Sequence, residues 1–368
     1  MNISQLANPR ILEQPTYQPG KPIEEVAREQ GIDPRDICKL ASNENPWGAS
    51  PAALSAAHSA LQSVHRYPDG SSLALREKLA SHHKLSPDQF IIGNGSNEII
   101  ELIGHVFLSE GDEVVFGEYA FVVYKLVSLL MGAKPVCSPM PDLKHDLKQM
   151  KTLITERTKV VFLPSPNNPT GTSNTEEEIF TFVRDLPDNI IFCLDEAYAE
   201  YLEQAPDLRV LLREGKKVIG LRTFSKIYGL AGLRIGYGYG CTEVIELLQQ
   251  ARQPFNTNAI ALAAATASLE DQNWVRECRR KNKQGLEQLQ DACDRINLPW
   301  IPSDANFLLI EIGDGYKAFQ ELQAIGVITR PMPKGLEKYV RVSVGTTNEN
   351  EMAMAAIEKI IPLLKNSA

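Results

Sequence analysis

Several things are missing from this chain, and each absence removes a class of function. There is no long basic run. The 46 acidic side chains outnumber the 38 basic ones, for a formal net charge of -8, so nothing tracks a phosphodiester backbone and nucleic acid is not an expected partner. No stretch approaches the roughly 18 uninterrupted apolar residues that a membrane span requires. The start, "MNISQLANPRILEQ", has no apolar core of signal-peptide length, so the cytoplasm is the expected location and a membrane is not an expected partner. The cysteines Cys38, Cys137, Cys193, Cys241, Cys278 and Cys293 are scattered, mostly in apolar surroundings, and form no C-x-x-C pair. They read as reduced core thiols rather than disulfides or metal ligands. Internal repeats and low-complexity tracts are absent as well.

What remains is ordinary for a globular enzyme. In 368 residues, 43% are hydrophobic and 23% charged, enough for two domains and a large core. From about Gln89 short β-branched runs alternate with helical-period segments: "FIIG", "SNEIIELIGHVFL", "DEVVF", "FVVYKLVSLLMG", "KVVFLPS", "TEEEIFTFVRDL", "NIIFCLDE" and "KVIGLRTF". Strands joined by helix-length connections predict a mostly parallel sheet covered on both faces, an α/β fold. After Arg252 a long helical stretch leads to three strand candidates, "NFLLIEI", "GVITR" and "YVRVSVG", with a helix between the first two and another at the end. The expected organisation is an N-terminal arm over residues 1–35, a large domain over 36–252 and a smaller α+β domain over 253–368.

Ligands of open α/β sheets collect at the carboxyl ends of strands, so polar residues just beyond each apolar run are the candidates for chemistry. "FIIGNGSNE" sets Ser96 and Asn97 at the start of a helix, where free N–H groups favour an anion, although either residue would serve equally as an N-cap. The third glycine and the downstream acid of a dinucleotide fingerprint are missing. "VVFLPSPNNPTG" ends in a turn holding Asn167 and Asn168, residues that ordinarily stabilise such turns themselves. "IIFCLDEAYAEY" places Asp195 and Glu196 after a buried run, with Tyr198 close behind, and a carboxylate there requires a cation or a donor. "TFSKIYGLAGLRIGYGYG" combines Lys226 with Thr223, Ser225 and Arg234, all three able to bind a phosphate, and with glycines that read as packing space around the arginine.

An anion site, a lysine, a buried carboxylate and a phenol are together what pyridoxal phosphate needs: a Schiff-base amine, a partner for the pyridinium nitrogen, a donor to the ring oxygen and a phosphate cradle. The amine must lose its proton to act as nucleophile and base, which desolvation and a neighbouring cation promote. Asp195 must instead stay ionised to keep the ring nitrogen protonated.

The segments "NNPTG", "LDEAY" and "TFSKIYGLAGLRIGY", in that order, resemble the fold-type I pyridoxal-phosphate aminotransferases, and the resemblance spans nearly the whole chain. It implies a seven-stranded sheet in the large domain. It also implies that Lys226 is the Schiff-base lysine and proton shuttle, Asp195 the pyridinium partner, and Tyr198 and Asn168 the donors to the ring oxygen. Ser96, Asn97, Thr223, Ser225 and Arg234 would hold the phosphate. Phe121 falls where the family stacks an aromatic ring on the pyridine, with Tyr119 as the nearby alternative.

Within the family, "YQPGKPIEEVARE", "KLASNENPWGASP", "RYPDG" and "YVRVSVGT" are most similar to the histidinol-phosphate aminotransferases of histidine biosynthesis. That subgroup implies histidinol phosphate, glutamate and 2-oxoglutarate as substrates. Arg341, Arg330 and Tyr17 would meet the substrate phosphate, Asn43 and Asn168 would also contact the substrate, and Tyr67 would reach in from the second subunit of a homodimer with shared active sites. The cofactor residues do not separate this reading from an aromatic amino-acid aminotransferase or a threonine-phosphate decarboxylase of the same fold. A non-catalytic sensor built on this fold is the rival from another class, and such regulators ordinarily carry a DNA-binding domain.

Overall fold

The computed structural model describes residues 2–12, 14, 16 and 20–365. β1 (Cys38–Lys39) follows the arm, and seven strands then build the main sheet: β2 (Phe90–Gly93), β3 (Glu113–Gly117), β4 (Lys134–Ser138), β5 (Thr158–Pro164), β6 (Ile191–Asp195), β7 (Val218–Thr223) and β8 (Gly236–Gly240). Their spatial order is β2-β8-β7-β6-β5-β3-β4. Neighbours from β7 through β6, β5 and β3 to β4 pair parallel, and β8 pairs antiparallel to both β7 and β2. β2 therefore runs with the other five, and β8 is the single reversed strand of the expected seven-stranded sheet. The carboxyl ends of β2, β5, β6 and β7 share one edge with the beginning of β8.

Two of these strands are not apparent from the pattern of β-branched residues. β4, "KPVCS", carries Pro135 and lies at the sheet margin, where a missing N–H is tolerated. β8, "GYGYG", alternates by size instead of polarity. Tyr237 and Tyr239 are buried in the core with Phe90, Phe192 and Phe224, while the glycines open the other face. A Cβ on Gly236 would stand 2.5 Å from the Ser96 nitrogen and 2.9 Å from the Arg222 carbonyl oxygen. The glycines thus admit the start of helix Ser96–Phe107 against the sheet, beyond the space for Arg234 that the sequence suggests. Gly236→Ala is expected to destabilise the fold by ~1–3 kcal/mol through overpacking, measured as a lower midpoint in urea with an unchanged slope.

The helices follow local signals. Ser96–Phe107 starts after Gly95 and buries Ile99, Ile100, Leu102 and Ile103 on one face. Glu176–Arg184 opens on a capping box between Thr175 and Glu178. The long helical stretch after Arg252 is two helices, Ala259–Glu270 and Gln272–Arg295, divided at Asp271, whose side chain accepts from the Trp274 N–H and caps the second.

The small domain holds an antiparallel sheet ordered β12-β13-β10-β9, from β9 (Trp300–Ile301), β10 (Phe307–Glu311), β12 (Arg330–Pro331) and β13 (Tyr339–Ser343). β11 (Val327–Ile328) leaves this sheet and pairs parallel with β1. Two of the apolar cores each draw residues from either side of position 252. Cys38 and Leu40 are buried in the small-domain core with Leu308, Val340 and Ile357. Ala261, Ala264, Ala265 and Leu269 of helix Ala259–Glu270 lie in the main core instead. Apolar faces distant in sequence thus cover one another in both cores.

Candidate active site

A cavity of about 190 Å³ opens at the carboxyl edge of the main sheet, lined by Ser96, Asn97, Phe121, Tyr124, Pro164, Pro166, Asn168, Asp195, Ala197, Tyr198, Thr223, Ser225, Lys226 and Arg234. Every residue expected at a cofactor is among them. Topology brings them together: Gly236 at the head of β8 pairs with Gly93 of β2 on one side and Thr223 of β7 on the other. Segments far apart in sequence, ending at Ser96, Thr223 and Arg234, therefore converge. A larger hollow of about 350 Å³ between Val183 and Lys217 contains none of the candidate residues.

One end of the cavity is built for an anion. Thr223 and Ser225 are buried, and the Thr223 hydroxyl accepts the Ser225 N–H at 3.0 Å. Arg234, at a left-handed φ of 57°, donates Nη1 to Ser225 Oγ at 3.2 Å and to the Ala231 carbonyl at 3.2 Å. Its guanidinium fills the place of a side chain on Gly95, where a Cβ would meet Nη2 at 2.4 Å. The backbone there has φ +78°, a conformation that favours glycine, and a side chain would also have to displace the guanidinium. Ser96 and Asn97 present the first turn of the adjoining helix.

At the other end Asp195 is 6% exposed. Its Oδ2 accepts the Tyr124 hydroxyl at 2.6 Å and its Oδ1 the Ala197 N–H at 3.1 Å. Burial is the largest influence and pushes this carboxyl above its ordinary value; Tyr124 and Ala197 pull it back, Glu196 pushes it up again, and Lys226 pulls it down. Glu196 turns away from the cavity, its Oε1 3.1 Å from Arg222 Nη2 and its Oε2 accepting from the Tyr239 hydroxyl at 2.5 Å.

Between the two ends lies Lys226, half-buried, its Nζ 3.3 Å from the Ser42 carbonyl and 5.5 Å from the centre of the Tyr198 ring. The Tyr198 hydroxyl accepts from Asn43 Nδ2 at 3.0 Å. Asn43 is buried at φ 53°, with its N–H donated to Ser343 Oγ and its Oδ1 accepting from the same hydroxyl. It meets the cavity through Tyr198 and does not line it. The two asparagines of the "NNPTG" turn divide the work. Asn167 is buried and donates Nδ2 to the Tyr119 carbonyl and to Thr170 Oγ1, while Asn168 lines the cavity. Phe121 lines it as well, whereas the Tyr119 side chain packs with Leu309, Leu336 and Tyr339.

Arg341 is 7% exposed and donates Nη1 to Asn168 Oδ1 at 2.5 Å and Nη2 to the Ala41 carbonyl at 2.6 Å. Arg330 is its direct cross-strand partner in the β12–β13 register, so the two side chains share one face of the sheet. A Cβ on Gly20 of the arm would lie 3.6 Å from Arg330 Nη1. Tyr17 lies outside the described residues. Tyr67 is 83% exposed and stacks on Phe255 with ring centroids 4.8 Å apart.

Sequence reasoning missed Tyr124. Its signal is faint: a tyrosine inside the apolar helical run "FVVYKLVSLLMG", where a buried hydroxyl must find an acceptor.

A family model for aminotransferases of class I and II matches residues 35–357. The chain belongs to this family. The aminotransferase is 44% identical over 363 residues to a histidinol-phosphate aminotransferase of Akkermansia muciniphila, covering 98% of this chain and 100% of that one. It is 43% identical over 348 residues to a histidinol-phosphate aminotransferase of Methylobacillus flagellatus, covering 94% of each. Among solved structures it is similar to the histidinol-phosphate aminotransferase of Sinorhizobium meliloti in complex with pyridoxal-5′-phosphate, with a TM-score of 0.89, 27% identity, and coverage of 97% of this chain and 98% of that one. The aminotransferase uses pyridoxal phosphate, and its cavity fits that cofactor. A carboxylate raised by burial calls for a cation, which a pyridinium supplies, and the cradle around Gly95 and Arg234 calls for an anion, which a phosphate supplies. No helix among the described residues is long and apolar enough to cross a membrane.

Proposed function

We propose that this aminotransferase acts in histidine biosynthesis, exchanging an amino group between L-histidinol phosphate and 2-oxoglutarate to give imidazole-acetol phosphate and L-glutamate, with glutamate as donor in the biosynthetic direction. The observation that carries this reading is the cross-strand pair Arg330 and Arg341, with Arg341 held against Asn168 at the cavity. Two guanidiniums on one face suit a phosphate dianion better than a single carboxylate. The substrate class in the relatives' names agrees with it.

When bound, pyridoxal phosphate supplies an aldehyde carbon that accepts the substrate's amino group and a ring that draws off the charge left when the substrate carbon loses its proton. In this reading Ser96, Asn97, Thr223, Ser225 and Arg234 hold the cofactor phosphate, and Phe121 covers a face of the ring. Asp195 keeps its ring nitrogen protonated. Asn168 and Tyr198 donate to its ring oxygen, and because Asn43 donates into the Tyr198 oxygen, the phenolic proton is left to point elsewhere. Lys226 takes the proton from the substrate carbon and delivers it onward as a general acid. Arg341, Arg330 and Tyr17 hold the substrate phosphate, and Asn43 acts at the substrate through Tyr198. The enzyme works in the cytoplasm as a homodimer with shared sites, into which the exposed Tyr67 of one subunit reaches from the other.

The test is the half-reaction. Holoenzyme mixed with histidinol phosphate is expected to lose its visible absorption band and regain it on adding 2-oxoglutarate, with a higher kcat/KM than for phenylalanine. A clear preference for phenylalanine overturns the reading in favour of an aromatic aminotransferase. Release of carbon dioxide from O-phosphothreonine overturns it in favour of a decarboxylase, and ligand binding without half-transamination in favour of a sensor.

A further inference from the structure

Asp195 lies in a place that favours a neutral carboxyl. It is buried at the end of β6, and three titratable neighbours act on it electrostatically besides Tyr124: Glu196 from the following residue, which points away toward Arg222, Cys193 from its own strand and Lys226 from the loop after β7. Burial and Glu196 both work against its charge. Among side chains, only the Tyr124 hydroxyl donates a hydrogen bond to it in the described structure; the other donor is the Ala197 backbone N–H.

The Tyr124 hydroxyl has little freedom to do anything else. The residue is 0% exposed, its ring lies parallel to Phe162 at 4.6 Å and 8°, and Phe121 stands edge-on at 5.9 Å and 85°. The Tyr124 carbonyl accepts from Ser128 Oγ at 2.7 Å, tying the residue to its helix Val123–Met131. A buried ring stacked on Phe162 and met edge-on by Phe121 has little room to turn, and a buried hydroxyl that gives up its acceptor loses a hydrogen bond to a charged group.

We infer that Tyr124 is a positioning residue for the cofactor: its hydroxyl, donated to Asp195 Oδ2, lowers the proton affinity of that carboxylate enough that the proton between Asp195 and the cofactor's ring nitrogen stays on the nitrogen. Asp195 lines the cavity with its carboxylate held on both oxygens, by a side chain from the helix and a backbone N–H from the turn after β6. Because Tyr124 acts through Asp195 alone, the inference goes beyond the choice of substrate and holds for any amino donor.

Tyr124→Phe removes the hydroxyl and keeps the packed ring. In holoenzyme reconstituted with pyridoxal phosphate carrying ¹⁵N in the ring, the nitrogen signal of the wild-type protein is expected in the pyridinium range, and that of Tyr124→Phe displaced toward neutral pyridine. In the same variant kcat is expected to fall about tenfold to hundredfold, as for loss of a hydrogen bond to an ionised group, with KM for the amino donor unchanged. An unmoved nitrogen signal overturns the inference whatever the rate does: with a lost rate it makes Tyr124 a packing residue, and with a normal rate it makes the hydrogen bond incidental. Running the assay with phenylalanine as well as histidinol phosphate separates this result from a failure of the substrate assignment, since the nitrogen signal is read before any donor is added.

Discussion

Lys226→Ala is expected to lower the steady-state rate of transamination by about 10⁴-fold or more, the scale of losing a general base that no neighbour replaces. Among the described residues Lys226 is the one lysine lining the cavity, and two other candidate bases there are committed: Asp195 to Tyr124 and Ala197, and Tyr198 to Asn43. Its side chain makes a single long hydrogen bond, to the Ser42 carbonyl at 3.3 Å, so truncation leaves little unsatisfied behind it. The variant is therefore expected to melt within a few degrees of the wild type and to regain part of its activity when a small primary amine is added to the assay. Steady-state rates close to wild type would remove Lys226 from the proton-transfer role.

Asp195→Asn separates stability from activity. Burial raises the Asp195 carboxyl above its unfolded value, so the stability tied to its protonated form is fully present below the unfolded value and is lost as pH rises through the folded one. Near pH 7 the cofactor-free protein carries that loss, and an uncharged asparagine does not. The cofactor-free variant is expected to melt no lower than the wild type near pH 7, with any advantage vanishing in acid where both side chains are neutral. Activity moves the other way. An asparagine does not hold a proton on the cofactor's ring nitrogen by charge, and kcat is expected to drop by roughly 10²–10³-fold, the scale of removing one preorganised electrostatic group. Differential scanning calorimetry of the cofactor-free protein together with steady-state kinetics tests both halves, and a variant with wild-type kcat would overturn the assignment of Asp195.

The readability of the site in the sequence followed the range of the signals. Lys226, Asp195 and Asn168 each follow an apolar strand within a few residues, and strand-end position is a local property. Tyr124 carries no such mark, since its acceptor lies 71 residues away on another strand. The choice between Phe121 and Tyr119, and between Asn167 and Asn168, turned on which side of a loop faces the cavity, and neighbours in sequence point to opposite sides. Arg330 and Arg341 are conspicuous as strand-end cations, yet their direct opposition depends on the register of β12 against β13.

The sequence by itself determined the α/β alternation, the helices that cap and bury one face, and the set of chemical groups that a phosphate-bearing cofactor requires, because periodicity, capping and strand ends are written within a few consecutive residues. Tertiary structure decided which of those groups meet. The reversed, glycine-lined β8 brings Ser96, Thr223 and Arg234 to one anion cradle, packing against Phe162 and Phe121 holds Tyr124 beside Asp195, and the pairing of β1 with β11 together with the burial of Leu40 joins the early part of the chain to the smaller sheet. Each of these depends on contacts between distant segments, whose partners are chosen by which apolar faces and backbone hydrogen-bonding edges remain to be covered once the local elements have formed.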